Sequence, residues 1–141
     1  MPYCTQADIE RQLDFQTLVQ LADDLGVGSV DSAVVDRAIS DADATIDAYC
    51  QGRYSTPIDP VPDKVRQVSV DIAIYNLYSR RGDVVPEVRK DRYREAIRFL
   101  ERVAAGQISL GAATPAPETT NNGVDMDQSD RLFTRDKMGG Y

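Results

Sequence analysis

The stretch that most constrains this chain is residues 49–62, Tyr-Cys-Gln-Gly-Arg-Tyr-Ser-Thr-Pro-Ile-Asp-Pro-Val-Pro. A long helical pattern runs into it and another leaves it, so it must form a corner. Gly52 can take the left-handed conformation that ends a helix, and is expected to do so here. Pro57, Pro60 and Pro62 then fix φ three times and push the residues before them toward extended geometry. A linker built only for mobility would be rich in Gly and Ser. The segment reads as a stiff elbow that sets the angle between two helices, with Arg53 and Tyr54 as elbow or subunit contacts. An ordinary helix end with a tight loop has the same features.

The flanking periodicity is helical throughout. Thr5-Gln6-Ala7-Asp8 has the form of a capping box, opening a helix with Ile9 and Leu13 on its apolar face. Phe15, Leu18, Val19, Leu21 and Ala22 continue the pattern after a break near Asp14. Two short helices, or one kinked one, are therefore expected before the stop at Gly26 and Gly28. Ser29 or Asp31 then caps a long helix. Val30, Val34, Val35, Ala38, Ile39, Ala42, Ile46 and Tyr49 recur three, four and seven apart, as one helical face requires. The other side carries Asp36, Arg37, Asp41, Asp43 and Asp47, a face for water or for a basic partner.

Beyond the elbow, Asp63 is expected to cap a helix that is apolar on nearly every side, from Val65 through Val68, Val70, Ile72, Ile74 and Leu77 to Tyr78. Such a helix lies at the centre of a bundle or at a subunit contact. Arg80-Arg81-Gly82 ends it. Pro86, at a first helical position, opens a last helix reaching to about residue 105. Val88, Tyr93, Ala96, Ile97, Leu100, Val103 and Ala104 form its apolar face. Arg94, Arg98 and Arg102, with Glu95 and Glu101, belong to its charged face, where Glu95, Arg98 and Glu101 are spaced to pair along the helix. That face is either solvated or the complement of Asp36, Asp43 and Asp47 in another copy, which would make these six residues a subunit interface. The fold expected is all-α: a small bundle of four to five helices, two long ones joined by the Pro-rich elbow, with an extended C-terminal tail.

Composition divides the chain. Of 141 residues, 42% are hydrophobic, and these are concentrated before Gly111. Residues 1–110 are read as a helical bundle domain. Residues 111–128, rich in Ala, Thr, Pro and Asn, have the composition of a flexible linker. Residues 129–141 return to Leu, Phe, Met and Tyr among cations. Arg131, Leu132, Phe133, Arg135, Met138 and Tyr141 on a tether have the character of a docking peptide.

The chemistry that would support catalysis is missing. There is no histidine, hence no Ser-His or Cys-His dyad and no ordinary zinc site. Cys4 and Cys50 form no CxxC pair and are expected as small buried hydrophobes in a reducing cytosol. Gly26-Val27-Gly28 follows a helix and lacks the third glycine of a dinucleotide loop. No aspartate run has EF-hand spacing. No catalytic, cofactor or metal site is expected, and no enzyme. The net charge of −7 disfavours a protein that grips phosphates, while suiting plain solubility or a surface that nucleic acid passes without sticking. Neither an export leader nor an apolar run of about 18 residues is seen, so no membrane span is expected.

Several stretches in series resemble the small head–tail connector proteins of Mu-like phages. They are Tyr3-Cys4-Thr5-Gln6-Ala7-Asp8, Ile46-Asp47-Ala48-Tyr49 running into Gly52-Arg53-Tyr54, Val61-Pro62, and the run Asp71-Ile72-Ala73-Ile74-Tyr75-Asn76-Leu77-Tyr78-Ser79-Arg80-Arg81. Arg92-Tyr93-Arg94-Glu95-Ala96-Ile97 with Leu100, and Arg131-Leu132-Phe133-Thr134-Arg135 with Gly140-Tyr141, complete the series. The resemblance implies an all-helical structural virion protein at the neck, made in the host cytoplasm. It implies an adaptor that forms a homo-oligomeric ring, usually of twelve copies, beneath the portal protein. Such a ring receives a tail-side stopper or tail-terminator protein, and DNA passes through its lumen. A tail-completion protein of the same particle, or a protein-binding adaptor domain without a virion role, suits the same residues.

Overall fold

The structure, a computed structural model, describes residues 2–111 and residue 115. It is all-helical. The elements are α1 (Gln6–Glu10), α2 (Phe15–Ala22), α3 (Ser32–Cys50), α4 (Asp63–Ser79) and α5 (Glu87–Ala104). The two expected short helices are separate. Thr5 and Asp8 form the reciprocal capping box of α1, and Asp14 starts α2 by accepting the Thr17 N–H. Asp31, not Ser29, caps α3 through the Ala33 N–H.

The centre of the bundle is α4. Val65, Val68, Val70, Ile72, Ala73, Ile74 and Leu77 are buried on all its sides. Helices α3 and α5 pack against it and against each other, while α1 and α2 cover it together with α3. Each fully buried aliphatic side chain contributes about 1.5–3 kcal/mol relative to exposure, so α4 is held mainly by its neighbours. Its far end is fastened by charge. The Arg80 guanidinium donates to Asp24 and to the Leu21 carbonyl at 2.8 Å, and Arg81 also pairs with Asp24.

Four local expectations are corrected. Gly52 is not left-handed; positive φ occurs at Gly26, Gly28, Gly82, Gly106 and Gly111. The turn after α3 closes instead through the Arg53 and Tyr54 N–H groups, both donating to the Cys50 carbonyl at 2.9 Å. Pro62, not Asp63, occupies the N-cap position of α4, and Pro86 is the N-cap of α5 and not its first helical residue. Three residues assigned to apolar faces are exposed: Phe15 by 55%, Val88 by 64%, and Ala104. Phe15 and Val88 stand in the first turn of their helices, and Ala104 is the last residue of α5. Along α5, Glu95, Arg98 and Glu101 form no ion pairs with one another; Glu87 and Asp91 pair with Lys90 and Arg94.

The elbow is clasped to the end of α5. Tyr54 is buried, and its hydroxyl accepts the Leu110 N–H at 3.0 Å. Arg53 lays its guanidinium against Gly106, where any Cβ would collide with it. Gly106 also has φ +77°, so it serves both the chain reversal after α5 and the approach of Arg53. Pro115 then returns to the elbow. It bridges Tyr54, and the Ser55 hydroxyl donates to its carbonyl at 3.3 Å. The Thr56–Pro57 and Asp59–Pro60 peptide bonds are cis.

Two outcomes test the clasp by urea denaturation. Tyr54→Ala should cost about 2–4 kcal/mol through the cavity, and Tyr54→Phe about 1 kcal/mol through the lost hydrogen bond. Gly106→Ala should cost about 1–2 kcal/mol for the left-handed backbone plus the collision. Adding Arg53→Ala should return the collision part; strictly additive effects would show that the two residues do not meet.

Candidate functional site

The carboxylates Asp36, Asp43 and Asp47 fall within about 40° of one another around α3, at 100° per residue. They line a groove of about 580 Å³ together with Pro2, Thr5, Ser40 and Pro57. The N-terminal segment forms its far wall, held there by Asp43 and Asp47. Tyr3 donates its backbone N–H to both Asp43 oxygens at 3.3 Å. Its hydroxyl donates to Asp47 and accepts the Ile58 N–H at 2.9 Å. The Ser69 hydroxyl lies 3.2 Å from both Asp43 and the Cys4 sulfur. Burial pushes the Asp43 carboxyl above the usual range, and the neighbouring Asp47 charge adds to it. Asp36 is exposed and has no ion-pair or hydrogen-bond partner among the described residues.

A second groove, of about 370 Å³, opens on the other side of α3. It is lined by Thr45, Tyr49, Tyr93, Arg94, Ile97, Arg98 and Glu101. Thr45 and Tyr49 point about 140–180° away from Asp36 on the helical wheel. Tyr93 stacks on Tyr75 with ring centroids 3.9 Å apart, giving the groove a firm aromatic wall. Arg94 is taken up by Asp91 at 3.1 Å and Glu87 at 3.6 Å. Arg98 and Arg102 are exposed and pair with no carboxylate among the described residues. The remaining acid of the long helix, Asp41, about 140° from Asp36, lines neither groove and pairs with Arg37 at 3.3 Å.

The structure thus gathers Asp36, Asp43 and Asp47 in one groove and Arg94 and Arg98 in another on the opposite side of α3, while Arg102 lines neither. Asp43 and Asp47 also do structural work within the chain, and Asp36 is the free member of its group. Arg53 and Tyr54 serve the elbow clasp described above. The tail candidates Arg131, Leu132, Phe133, Arg135, Met138 and Tyr141 lie outside the described residues.

Comparison with known proteins gives the lineage. The model of the family described as "Bacteriophage Mu, Gp36" matches residues 3–128. The chain belongs to the bacteriophage Mu Gp36 family. It is 33% identical over 140 residues to the Mu-like prophage FluMu protein gp36 of Haemophilus influenzae, covering 99% of this chain and 97% of that one. It is also 28% identical over 149 residues to gene product J of Escherichia phage Mu, covering 99% of each. As a Gp36-family member it is a Mu-like phage protein. Among its described residues no helix is long and apolar enough to cross a membrane.

Sequence reasoning missed three residues in this Gp36-family chain. Tyr3 and Ser69 tie the acidic groove to α4 and the elbow. Nothing in their spacing signalled it, because their partners lie 44 and 26 residues away. Asp71 carried a signal, being a carboxylate inside an apolar helix. It is buried against α5, and its Oδ1 lacks a hydrogen bond. Arg92 approaches that oxygen only to 3.8 Å. Burial raises the Asp71 carboxyl above its ordinary range despite Arg92, Arg89 and Lys64 nearby.

The sign of that shift fixes a prediction. A carboxyl raised in the folded state penalises folding once it ionises, and the penalty vanishes below its unfolded pKa. Asp71→Asn should therefore raise stability at neutral pH, with a gain that shrinks as pH falls through the carboxylate range. A pH series of thermal melts measures this; a gain that grew on acidification would reverse the assignment.

Proposed function

We propose that this chain is a structural virion protein, a head–tail connector adaptor that assembles as a ring of about twelve copies beneath the portal. The observation that carries the reading is the pair of unlike grooves on opposite sides of α3, one acidic, the other lined by arginines. A closed ring of identical subunits uses heterologous contacts, in which each copy presents one side to the next copy's other side. Here the Arg98 and Arg102 side of one subunit meets the Asp36 side of its neighbour. Membership of the Mu Gp36 family supports the phage setting. The resemblance to Mu-like connectors supports a place at the neck, with the portal above and a stopper or tail-terminator protein below. The role is one of assembly, without catalysis. A net charge of −7 favours a lumen through which DNA slides without being held.

The contact is testable on exposed residues that do not contribute to the core. Arg98→Glu with Arg102→Glu should abolish rings in negative-stain images and weaken self-association at least tenfold, which is about 1.4 kcal/mol. Asp36→Lys should do the same, and combining the three should restore rings. Rings that persist in every variant would remove this contact, and a chain that forms no ring with or without portal would remove the adaptor reading.

A further inference from the structure

We infer that the cationic segment from Arg131 to Met138 docks in the acidic groove of its own subunit, between α3 and the N-terminal segment. Three observations lead there. The first is charge. The segment carries Arg131, Arg135 and Lys137 against one carboxylate, Asp136, and the groove presents Asp36, Asp43 and Asp47. The arginine-lined groove would repel the same segment. The second is shape and polarity. The acidic groove, about 580 Å³, has Ile39, Pro2 and Pro57 beside its carboxylates, so Leu132, Phe133 and Met138 find apolar surface while the cations find acids. Such mixed anchoring is how short peptides bind grooves. The third is the exit point. Pro115 is fastened to Tyr54 and Ser55, and Pro57, two residues farther along the elbow, lines the groove. From there, residues 116–130 can span up to about 50 Å at 3.3–3.6 Å each, against about 28 Å for the full length of α3. Every part of the groove is within reach.

The docking stands on the groove itself. One consequence rests on the ring reading: the segment and the neighbour's arginine side compete for Asp36, so assembly displaces the segment.

The test uses the full chain with Thr134→Cys, a position given no part in the docking, and a maleimide spin label. Cys4 and Cys50 are buried and their thiols are pushed up to about 11, so the label goes to the new site. Expected is broadening of amide resonances that is strongest at Asp36, Ser40 and Asp43 and much weaker at Arg98 and Arg102 of α5, with an effect at the groove at least fivefold weaker in Asp36→Lys. Labelled chain mixed with isotope-enriched unlabelled chain should broaden nothing. No broadening at the acidic groove, broadening centred on Arg98 and Arg102, an effect indifferent to Asp36→Lys, or an effect seen only in the mixture would each overturn docking in the same subunit. Full chain with Arg131→Glu and Arg135→Glu should self-associate at lower concentration than the unaltered chain. Unchanged self-association alongside confirmed docking would overturn the competition and leave the ring contact to the test on Arg98 and Arg102.

Discussion

A helix that is apolar on nearly every side is stable in water only when other elements cover most of it, and α4 is such a helix. The rest of the molecule follows from that constraint. Two long helices, α3 and α5, cover most of its surface, and two short helices complete the cover. Because the middle of α4 is spent on the core, it shows solvent chiefly its first turns, at Lys64, Arg66 and Gln67. Most of the outward surface belongs to its neighbours.

Covering α4 requires the chain to reverse direction sharply after α3, and the elbow does this by being fastened rather than merely stiff. Tyr54 reaches Leu110, Arg53 reaches Gly106, and Pro115 comes back to Ser55. The corner between α3 and α4 is thereby fixed to the end of α5, so the three long helices share one joint. Tyr3 does the same on the adjoining side, linking α3 through Asp47 to the elbow through Ile58. Two of the three aspartates of the acidic groove are thus part of the scaffold that shapes it, which leaves Asp36 as the residue free to meet something else.

Much of this was legible in the chain. Period-3.6 apolar spacing gave the helices, the alternation of capping residues and glycines gave most of their ends, and the uninterrupted apolarity of α4 gave its central place. The errors were local and have a common cause. Gly52 was assigned a left-handed turn because it follows a helix, yet αR geometry with two N–H groups on one carbonyl ends the helix equally well. Phe15 and Val88 fit the apolar period but stand exposed in the first turns of α2 and α5. The ion pairs of α5 shifted to Glu87 and Asp91 because long side chains choose among several acids at similar spacing, each pair being worth only a few tenths of a kcal/mol. Of the candidate site, the residue types were legible, and so was the separation of Asp41 from Asp43, since 100° per residue sets Asp41 about 120–160° from Asp36, Asp43 and Asp47; that Tyr3 engages Asp43 and Asp47 and leaves Asp36 free was not.

By itself, then, the sequence determined an all-helical bundle with a corner at residues 49–62 and a surplus of acids on one long helix, because helical periodicity and proline geometry are local properties. Its ordered series of stretches also placed it among Mu-like phage proteins. Only the tertiary structure decided that the acids and the arginines lie in separate grooves on opposite sides of α3. That outcome depends on the rotation of each helix against its neighbours, which packing on α4 sets. The elbow's true anchor was likewise decided there, because Tyr54 and Leu110 are 56 residues apart and only the closed bundle brings them together.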